Sequence, residues 1–381
     1  MKKICYVTTV ASTIKAFFVE TLEALIGEGY DITVICNCDE DIYDILPENV
    51  KFISVKMNRG IEIISSFKAI KTFYKIFKRE QFDLIQYSSP NASFYAAIAS
   101  FFAHIKIRIY HNMGFIGLSF TGIKKRVFLD MEKIICFLSH KVQFTSRENL
   151  EFALKNKLVT NEKAYIVWNG STGGVNLTRF NIKQRSYWSS EIRVRHKINR
   201  EDFVIGFIGR INKDKGINEL LNAFKNLKCR ENLKLLLVGT IDDMSGIDDE
   251  LWKWANCEAE IILCGERMDV EKYYAAINVL VLPSYREGFG NVIIEAAAMG
   301  TPSIASNIPG PREIIINGKT GLLIEPRNEN ELCDRLEFVL NNKNLLSLMG
   351  EYACEIITQK YDSRILNEKI LEDKRTLLNP Y

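Results

Sequence analysis

Short apolar runs bounded by turn residues alternate along the chain with longer stretches of helical period. A run at 4–7 is followed by a turn through Thr8-Thr9-Val10-Ala11-Ser12, a helical stretch to about Gly27 and a second run at 32–36. The plan repeats 200 residues later: a run at 204–208, a turn through 209–216, a helix to about Leu227, and a run at 233–238 ending at Gly239. Strand, turn, helix, strand is the βαβ unit of a parallel sheet, whose strands are buried on both faces and so read as unbroken apolar runs. Its double occurrence predicts an α/β protein of two Rossmann-like, doubly wound domains rather than one large sheet.

Further strands are predicted at 52–55, 84–87, 106–110, 142–145 and 164–167, with helices over 61–79, 93–102 and 122–138. Asn169-Gly170-Ser171-Thr172-Gly173-Gly174 is the strongest turn cluster and marks a domain boundary. The polar, basic stretch 180–200 reads as a connecting helix. Beyond it come strands at 261–263, 279–282, 303–305 and 322–324, a helix near 269–276 and closing helices from about 329 to 359. Residues 363–378 have helical period but too many charges for a core helix, and are expected to cross back onto the first domain. The expected division is 1–176 with 363–381, and 177–362. In parallel sheets ligands bind beyond the carboxyl ends of the strands, so the loops of both sheets are expected to meet in one cleft.

At 381 residues the length suits two domains, and 47% hydrophobic with 25% charged residues is ordinary for a soluble globular chain. No apolar run approaches the ~20 residues needed to span a bilayer. Met1-Lys2-Lys3 leads into an apolar segment too short for a signal peptide, so a cytoplasmic location is expected. Nine cysteines without a Cys-x-x-Cys pair read as reduced thiols, Cys36-Asn37-Cys38 as a strand end, and four histidines show no metal-ligand spacing; neither metal nor cofactor is expected. Net charge is only +3, yet residues 51–141 hold 15 Lys/Arg against 5 Asp/Glu. That segment calls for an anionic partner.

The chemistry concentrates after the run at 279–282. Pro283 and Ser284 end it, glycines 288 and 290 flank Phe289, and 292–299 carries the small and apolar residues of a packed helix. A Gly-rich turn opening a helix aims backbone N–H groups and the positive dipole end outward, a seat for phosphate. Glu287 and Glu295 stand in this stretch with seven residues between them, and carboxylates accept hydrogen bonds from hydroxyls. The turn Gly209-Arg210-Ile211-Asn212-Lys213-Asp214-Lys215-Gly216 offers Arg210 as a planar fork and Lys215 as a point charge, but has neither dinucleotide nor Walker spacing. Gly318-Lys319-Thr320 imitates a P-loop end, but Glu313 stands where the earlier glycine is needed.

Gly-Arg-x4-Lys-Gly, Leu-Val-Gly, the 263–270 segment Leu-Cys-Gly-x-Arg-x-Asp-Val and the 283–302 segment Pro-Ser-x-x-Glu-Gly-Phe-Gly-Asn-x8-Gly-Thr-Pro together resemble the GT-B glycosyltransferases of group 1. Residues 4–18, 110–114 and 168–180 are similar to the branch that extends undecaprenyl-linked oligosaccharides for capsule, O-antigen or glycoprotein. The resemblance covers the whole chain. It implies a retaining transferase that moves a hexose or N-acetylhexosamine from a nucleotide sugar, UDP being the commonest choice, to a lipid-linked saccharide, without a metal. It also makes 177–362 the donor-binding domain and the remainder the acceptor-side domain. By the same resemblance Arg210 and Lys215 would hold the donor diphosphate and Glu287 the sugar hydroxyls. The backbone of Gly288, Phe289, Gly290, Asn291 and Val292 would hold sugar and phosphate. Glu295 would take the ribose hydroxyls, Gly265, Glu266 and Arg267 would lie beside the base, and His111 would contact the sugar. Thr9 to Ser12 replaces the family's Gly-rich loop and has no glycine; Gln86 stands where many members have histidine. Asp39-Glu40-Asp41 imitates the Asp-x-Asp metal clamp of the other sugar-transferase fold but lies in an acidic loop.

On the helix at 61–79, Ile63, Phe67, Ile70, Tyr74 and Phe77 would form one apolar stripe, with lysines over much of the rest. With 115–120 as exposed apolar residues beside Lys124-Lys125-Arg126, this predicts peripheral docking on the anionic inner face of the plasma membrane. No nucleic-acid motif occurs. The competing readings are a nucleotide-sugar epimerase or phosphorylase on the same architecture, and an inactive scaffold of a glycan-assembly complex. The epimerase lacks a visible acid/base pair, the phosphorylase a pyridoxal lysine, and intact Glu287, Glu295, Arg210 and Lys215 argue against the scaffold.

Overall fold

The computed structural model describes residues 1–38, 42–57 and 63–379, so Asp39-Glu40-Asp41 lies outside the described residues. The chain divides into two compact units, 1–173 with 363–381, and 174–362. In the first, strands β1 (Lys3–Val7), β2 (Asp31–Cys36), β3 (Lys51–Ser54), β4 (Leu84–Ser88), β5 (Ile107–Asn112), β6 (Lys141–Phe144) and β7 (Ala164–Tyr165) alternate with helices. These are α1 (Ala11–Phe17), α2 (Val19–Gly27), α3 (Ile42–Ile45), α4 (Ile63–Glu80), α5 (Pro90–Phe102), α6 (Gly122–Leu138) and α7 (Arg147–Lys155). The sheet is parallel in the order β3-β2-β1-β4-β5-β6-β7. Because β1 is followed on one side by β2 and β3 and on the other by β4, the winding reverses between β1 and β4.

The second unit carries α8 (Arg185–Arg195), β8 (Phe203–Ile208), α9 (Ile217–Lys225), β9 (Leu233–Val238), α10 (Asp249–Cys257), β10 (Ile261–Gly265), α11 (Val270–Ala276) and β11 (Val279–Leu282). It closes with α12 (Asn291–Ala298), β12 (Ser303–Ser306), α13 (Pro311–Ile314), β13 (Gly321–Ile324), α14 (Glu329–Asn341) and α15 (Lys343–Lys360). Its parallel sheet runs β10-β9-β8-β11-β12-β13, with the reversal between β8 and β11. All six residues of β8 are buried, as a central strand covered on both faces requires. Helix α16 (Ser363–Leu378) returns to the first unit and packs on α2. Most of its charges face outward, but Lys374 is fully buried and pairs with Asp373 at 2.9 Å; Leu366, Ile370 and Leu378 are buried beside it, and Thr21 Oγ1 donates to Asn367 Oδ1 at 2.7 Å.

Four sequence expectations need correction. The strand expected at 164–167 stops at Tyr165, because Trp168 (φ 52°) and Gly170 (φ 86°) turn the backbone left-handed. The helix up to Gly27 is broken at Phe18, whose aromatic ring fills the core against Tyr6 at 5.5 Å. The buried face of α4 is Ala69, Phe73, Ile76 and Phe77 with Ile70 packed beside it, so of the expected stripe Ile70 and Phe77 join the core while Phe67 and Tyr74 are exposed; the helix is apolar on more than one stripe, and period alone does not choose between them. Phe115 is buried against Phe144 and Phe152, and Phe120 is half-buried on Phe128, so 115–120 is not an exposed apolar segment.

Glu132 of α6 is buried and accepts from the Tyr110 hydroxyl at 2.6 Å and from Asn112 Nδ2 at 3.4 Å. Burial pushes its carboxyl up to about 7, only partly offset by those bonds. A carboxyl raised in the folded state costs stability as pH climbs from its unfolded value through 7. Glu132→Gln keeps an acceptor for Tyr110 and is expected to melt higher than wild type at pH 8 by about 1–3 kcal/mol, with that advantage gone at pH 5. Thermal melts at the two pH values check it; a constant offset across pH would contradict it.

Candidate active site

The reversal between β8 and β11 opens a crevice at the carboxyl ends of the second unit's strands, the place where doubly wound sheets bind ligands. Its walls are the loops 209–216 and 283–290, which are laced together. Tyr285 N donates to Asp214 O at 2.8 Å, Arg286 pairs with Asp214 at 3.0 Å, and Lys215 Nζ sits 2.6 Å from Glu287 Oε1. Asn212 folds the first loop by accepting from Lys215 N, an Asx-type turn that the sequence signals only as a turn residue. Gly216 (φ 71°) then starts α9, so close to the other loop that a Cβ there would lie 2.1 Å from Pro283 O. Both cations predicted for this crevice have carboxylate partners in the structure. Lys215 pairs with Glu287, and Arg210, exposed at the rim, has Nη1 2.7 Å from Asp242 Oδ2. Asp242, Asp214 and Tyr285, whose hydroxyl donates to Glu219, were not singled out from sequence, since one turn carboxylate resembles another there.

Gly290 (φ 102°) is the N-cap of α12 and offers no side chain to cap it. The helix's positive end therefore points into the crevice beside Glu287 and Lys215, with Phe289 and Gly290 buried and Gly288, Asn291 and Val292 at its margin. Further along α12, Glu295 Oε2 accepts from the Tyr274 hydroxyl at 2.8 Å. Glu295 retains some exposed surface, yet the protein packed round its carboxyl desolvates it and raises it to about 7. Gly265, Glu266 and Arg267 are exposed where β10 ends, at the sheet edge two strands from β8.

In the first unit the corresponding reversal lies between β1 and β4. Thr9 follows β1, and its hydroxyl meets Ser89 Oγ at 2.8 Å after β4, while its N–H donates to the same oxygen at 2.9 Å. Ser89 (φ 67°) gave no sequence signal beyond preceding a proline, yet it fixes this turn. Ser12 is exposed in the first turn of α1, so the loop is shorter than the expected 8–12. His111, at the end of β5, is 1% exposed, edge-on to Phe18 at 5.7 Å, with Nδ1 3.3 Å from Gln86 Nε2. An amide nitrogen can only donate, so Nδ1 accepts and the ring hydrogen belongs on Nε2. Burial and then the charge of Lys374 hold the ring's pKa down at about 3, keeping it neutral. Among the described residues no group of His, Cys, Asp or Glu is spaced for a metal.

Two parallel Rossmann-like sheets, of seven and six strands, are the architecture of the GT-B fold. Residues 189–355 match the model of the glycosyl transferases group 1 and residues 15–171 that of glycosyltransferase family 4; the chain belongs to the glycosyltransferases built from that pair of domains. It is 28% identical to the capsular polysaccharide biosynthesis glycosyltransferase CapM of Staphylococcus aureus, over 99% of this chain and 98% of that one. It is also 25% identical, over 89% of this chain and 87% of the other, to an Escherichia coli UDP-Gal:alpha-D-GlcNAc-diphosphoundecaprenol alpha-1,3-galactosyltransferase. The crystal structure of Anabaena Alr3699/HepE in complex with UDP and glucose superposes with a TM-score of 0.80 at 20% identity, covering 99% of this chain and all 100% of that one, a likeness of fold.

Proposed function

We propose that this glycosyltransferase transfers a hexose or N-acetylhexosamine, with retention at the anomeric carbon, from a nucleotide sugar, UDP-linked by preference, to an undecaprenyl-diphosphate-linked saccharide. The observation that carries the reading is the laced crevice at the β8/β11 reversal, where Lys215, Glu287 and the start of α12 converge. There the donor diphosphate takes Arg210, Lys215 and the amides opening α12 as its positive partners, so no divalent ion is required. Glu287 orients the sugar and Glu295 the ribose, while Gly265, Glu266 and Arg267 border the base. In the other unit Thr9 and Ser12 serve the acceptor side, and His111, a neutral ring, serves as a hydrogen-bond donor rather than a base. The anomeric carbon–phosphate oxygen bond breaks, the acceptor hydroxyl oxygen bonds to that carbon from the same face, and its proton passes to the departing phosphate, releasing nucleoside diphosphate. The names of the capsular and undecaprenyl-linked relatives support the acceptor class. Incubation with a donor panel and a synthetic lipid-diphosphate saccharide tests it. Nucleoside diphosphate release that needs the acceptor and survives chelator is expected. Release abolished by chelator would remove the metal-free reading, and none with any donor would favour a scaffold.

We also propose that the outer face of α4, α5 and α6 rests on an anionic bilayer on the cytoplasmic side. Helices α4 and α6 both pack on α5, and across them Phe67, Phe102, Ile123 and Phe137 are exposed among Lys68, Lys71, Lys75 and the 124–126 cations. Apolar side chains set among lysines fit an interface of acyl chains under anionic headgroups. No described helix is long and apolar enough to cross a membrane. Flotation with phosphatidylglycerol vesicles is expected to carry the protein at low salt, and Phe67→Ser with Ile123→Ser to lose most of that binding. Equal binding to neutral vesicles would count against it.

A further inference from the structure

We infer that Tyr274 is a positioning residue of the donor site: its hydroxyl orients Glu295 from inside the core and favours the carboxylate form that accepts hydrogen bonds from a ligand's vicinal hydroxyls. The inference deepens the donor-site reading above and rests on it. Tyr274 is wholly buried in α11, its ring centroid 6.0 Å from that of Phe180 and its carbonyl accepting from Thr301 Oγ1 at 2.8 Å. Its ring is enclosed by the core, which limits its swing away from Glu295. Its 2.8 Å bond engages Oε2 and leaves Oε1 to the ligand. Burial and the nearby Glu295 push the tyrosine's own pKa far above its ordinary value, so it stays a donor throughout the working pH range.

The balance on Glu295 is close. Burial raises its carboxyl, Tyr274 and Arg179 of the 176–181 loop lower it, and Glu271 of α11 raises it, with the result near 7. Of the other helices packed on α12, α15 brings Cys354, whose thiol donates to Ala298 O, and α13 carries Arg312 and Glu313. A protonated carboxyl gives up acceptor capacity, so a ligand bound through paired hydroxyls selects the ionised form. Binding therefore releases a proton from Glu295 near pH 7, and affinity falls as pH drops below that value.

Removing the hydroxyl takes away a bond that favours the charged form. Such bonds are worth about one to two pH units to a carboxylate. In Tyr274→Phe the Glu295 midpoint is expected to rise by about that much. Binding of UDP should then be about tenfold weaker at pH 7 and within about twofold of wild type at pH 9. Calorimetry of UDP, with GDP and ADP beside it, across pH 6 to 9 and in buffers of different ionisation heat reads both affinity and proton release. Glu295→Gln should lose the pH dependence altogether. A Tyr274→Phe protein weakened equally at every pH would show a merely structural role and overturn the inference. NMR titration of carbon-13-labelled glutamate in the ligand-free protein reads the Glu295 midpoint directly. A midpoint unmoved in Tyr274→Phe overturns the inference whether or not nucleotide binds, whereas a moved midpoint with no nucleotide bound by wild type overturns the donor-site reading instead.

Discussion

Lys215→Ala is expected to lower turnover by about 10²–10³-fold, because a fixed cation beside a leaving diphosphate acts where charge grows most in the transition state. The structure adds a condition that the sequence did not carry. Lys215 is already paired with Glu287 at 2.6 Å, with both side chains largely withdrawn from solvent. Losing either partner leaves a partly buried charge uncompensated, so Glu287→Gln should also damage Lys215's role, and the double variant should cost far less than the product of the singles. Lys215→Arg should recover only part, since a planar fork does not reproduce a point charge on a flexible stem. Steady-state kinetics on variants that keep wild-type melting behaviour checks all four; near-wild-type turnover in Lys215→Ala would remove this lysine from the chemistry.

Gly216→Ala is expected to have the largest effect on the crevice itself. The residue sits at φ 71°, and a Cβ would lie 2.1 Å from the Pro283 carbonyl oxygen, backbone that cannot rotate aside. The clash falls where loop 209–216 meets loop 283–290, so relief means parting the two walls that hold Lys215 against Glu287. A loss of about 2–4 kcal/mol of stability, with nucleotide binding abolished, is expected. Gly265→Ala supplies the control. Its φ of 69° is as unfavourable for an L-residue, but no atom lies within 4 Å of the added carbon, so only about 1–2 kcal/mol is expected. Equal melting temperatures for the two variants would show that left-handed strain alone, not the close approach, governs position 216.

Sequence patterning reached the two sheets because buried parallel strands are apolar on both faces. The runs at 4–7, 204–208 and 279–282 leave no other economical reading. It also reached α12, since a left-handed Gly290 before an apolar octet is a chemical statement as well as a pattern. Much of what it missed involves contact between residues distant in sequence. The buried stripe of α4 depends on which side meets α5, and an 18-residue helix with Phe67, Phe73, Tyr74 and Phe77 offers several apolar stripes. Whether Phe115 faces solvent was decided by Phe144 and Phe152. In the candidate site Lys215, Glu287 and Glu295 were legible through their spacing. Tyr274 and Asp242 were not, because one lies 21 residues from Glu295 and the other 32 from Arg210. Ser89 hid for the same reason: its partner Thr9 is 80 residues away.

A crystal structure of the protein with UDP and a divalent-metal chelator tests the placement of the donor diphosphate most directly. The β-phosphate is predicted within about 3 Å of Lys215 Nζ and the first amides of α12, with Arg210 turned from Asp242 toward the phosphates and Glu295 on the ribose hydroxyls. Nucleotide bound elsewhere on the second unit, or left out of the crystals at saturating concentration unless a metal is restored, would contradict it.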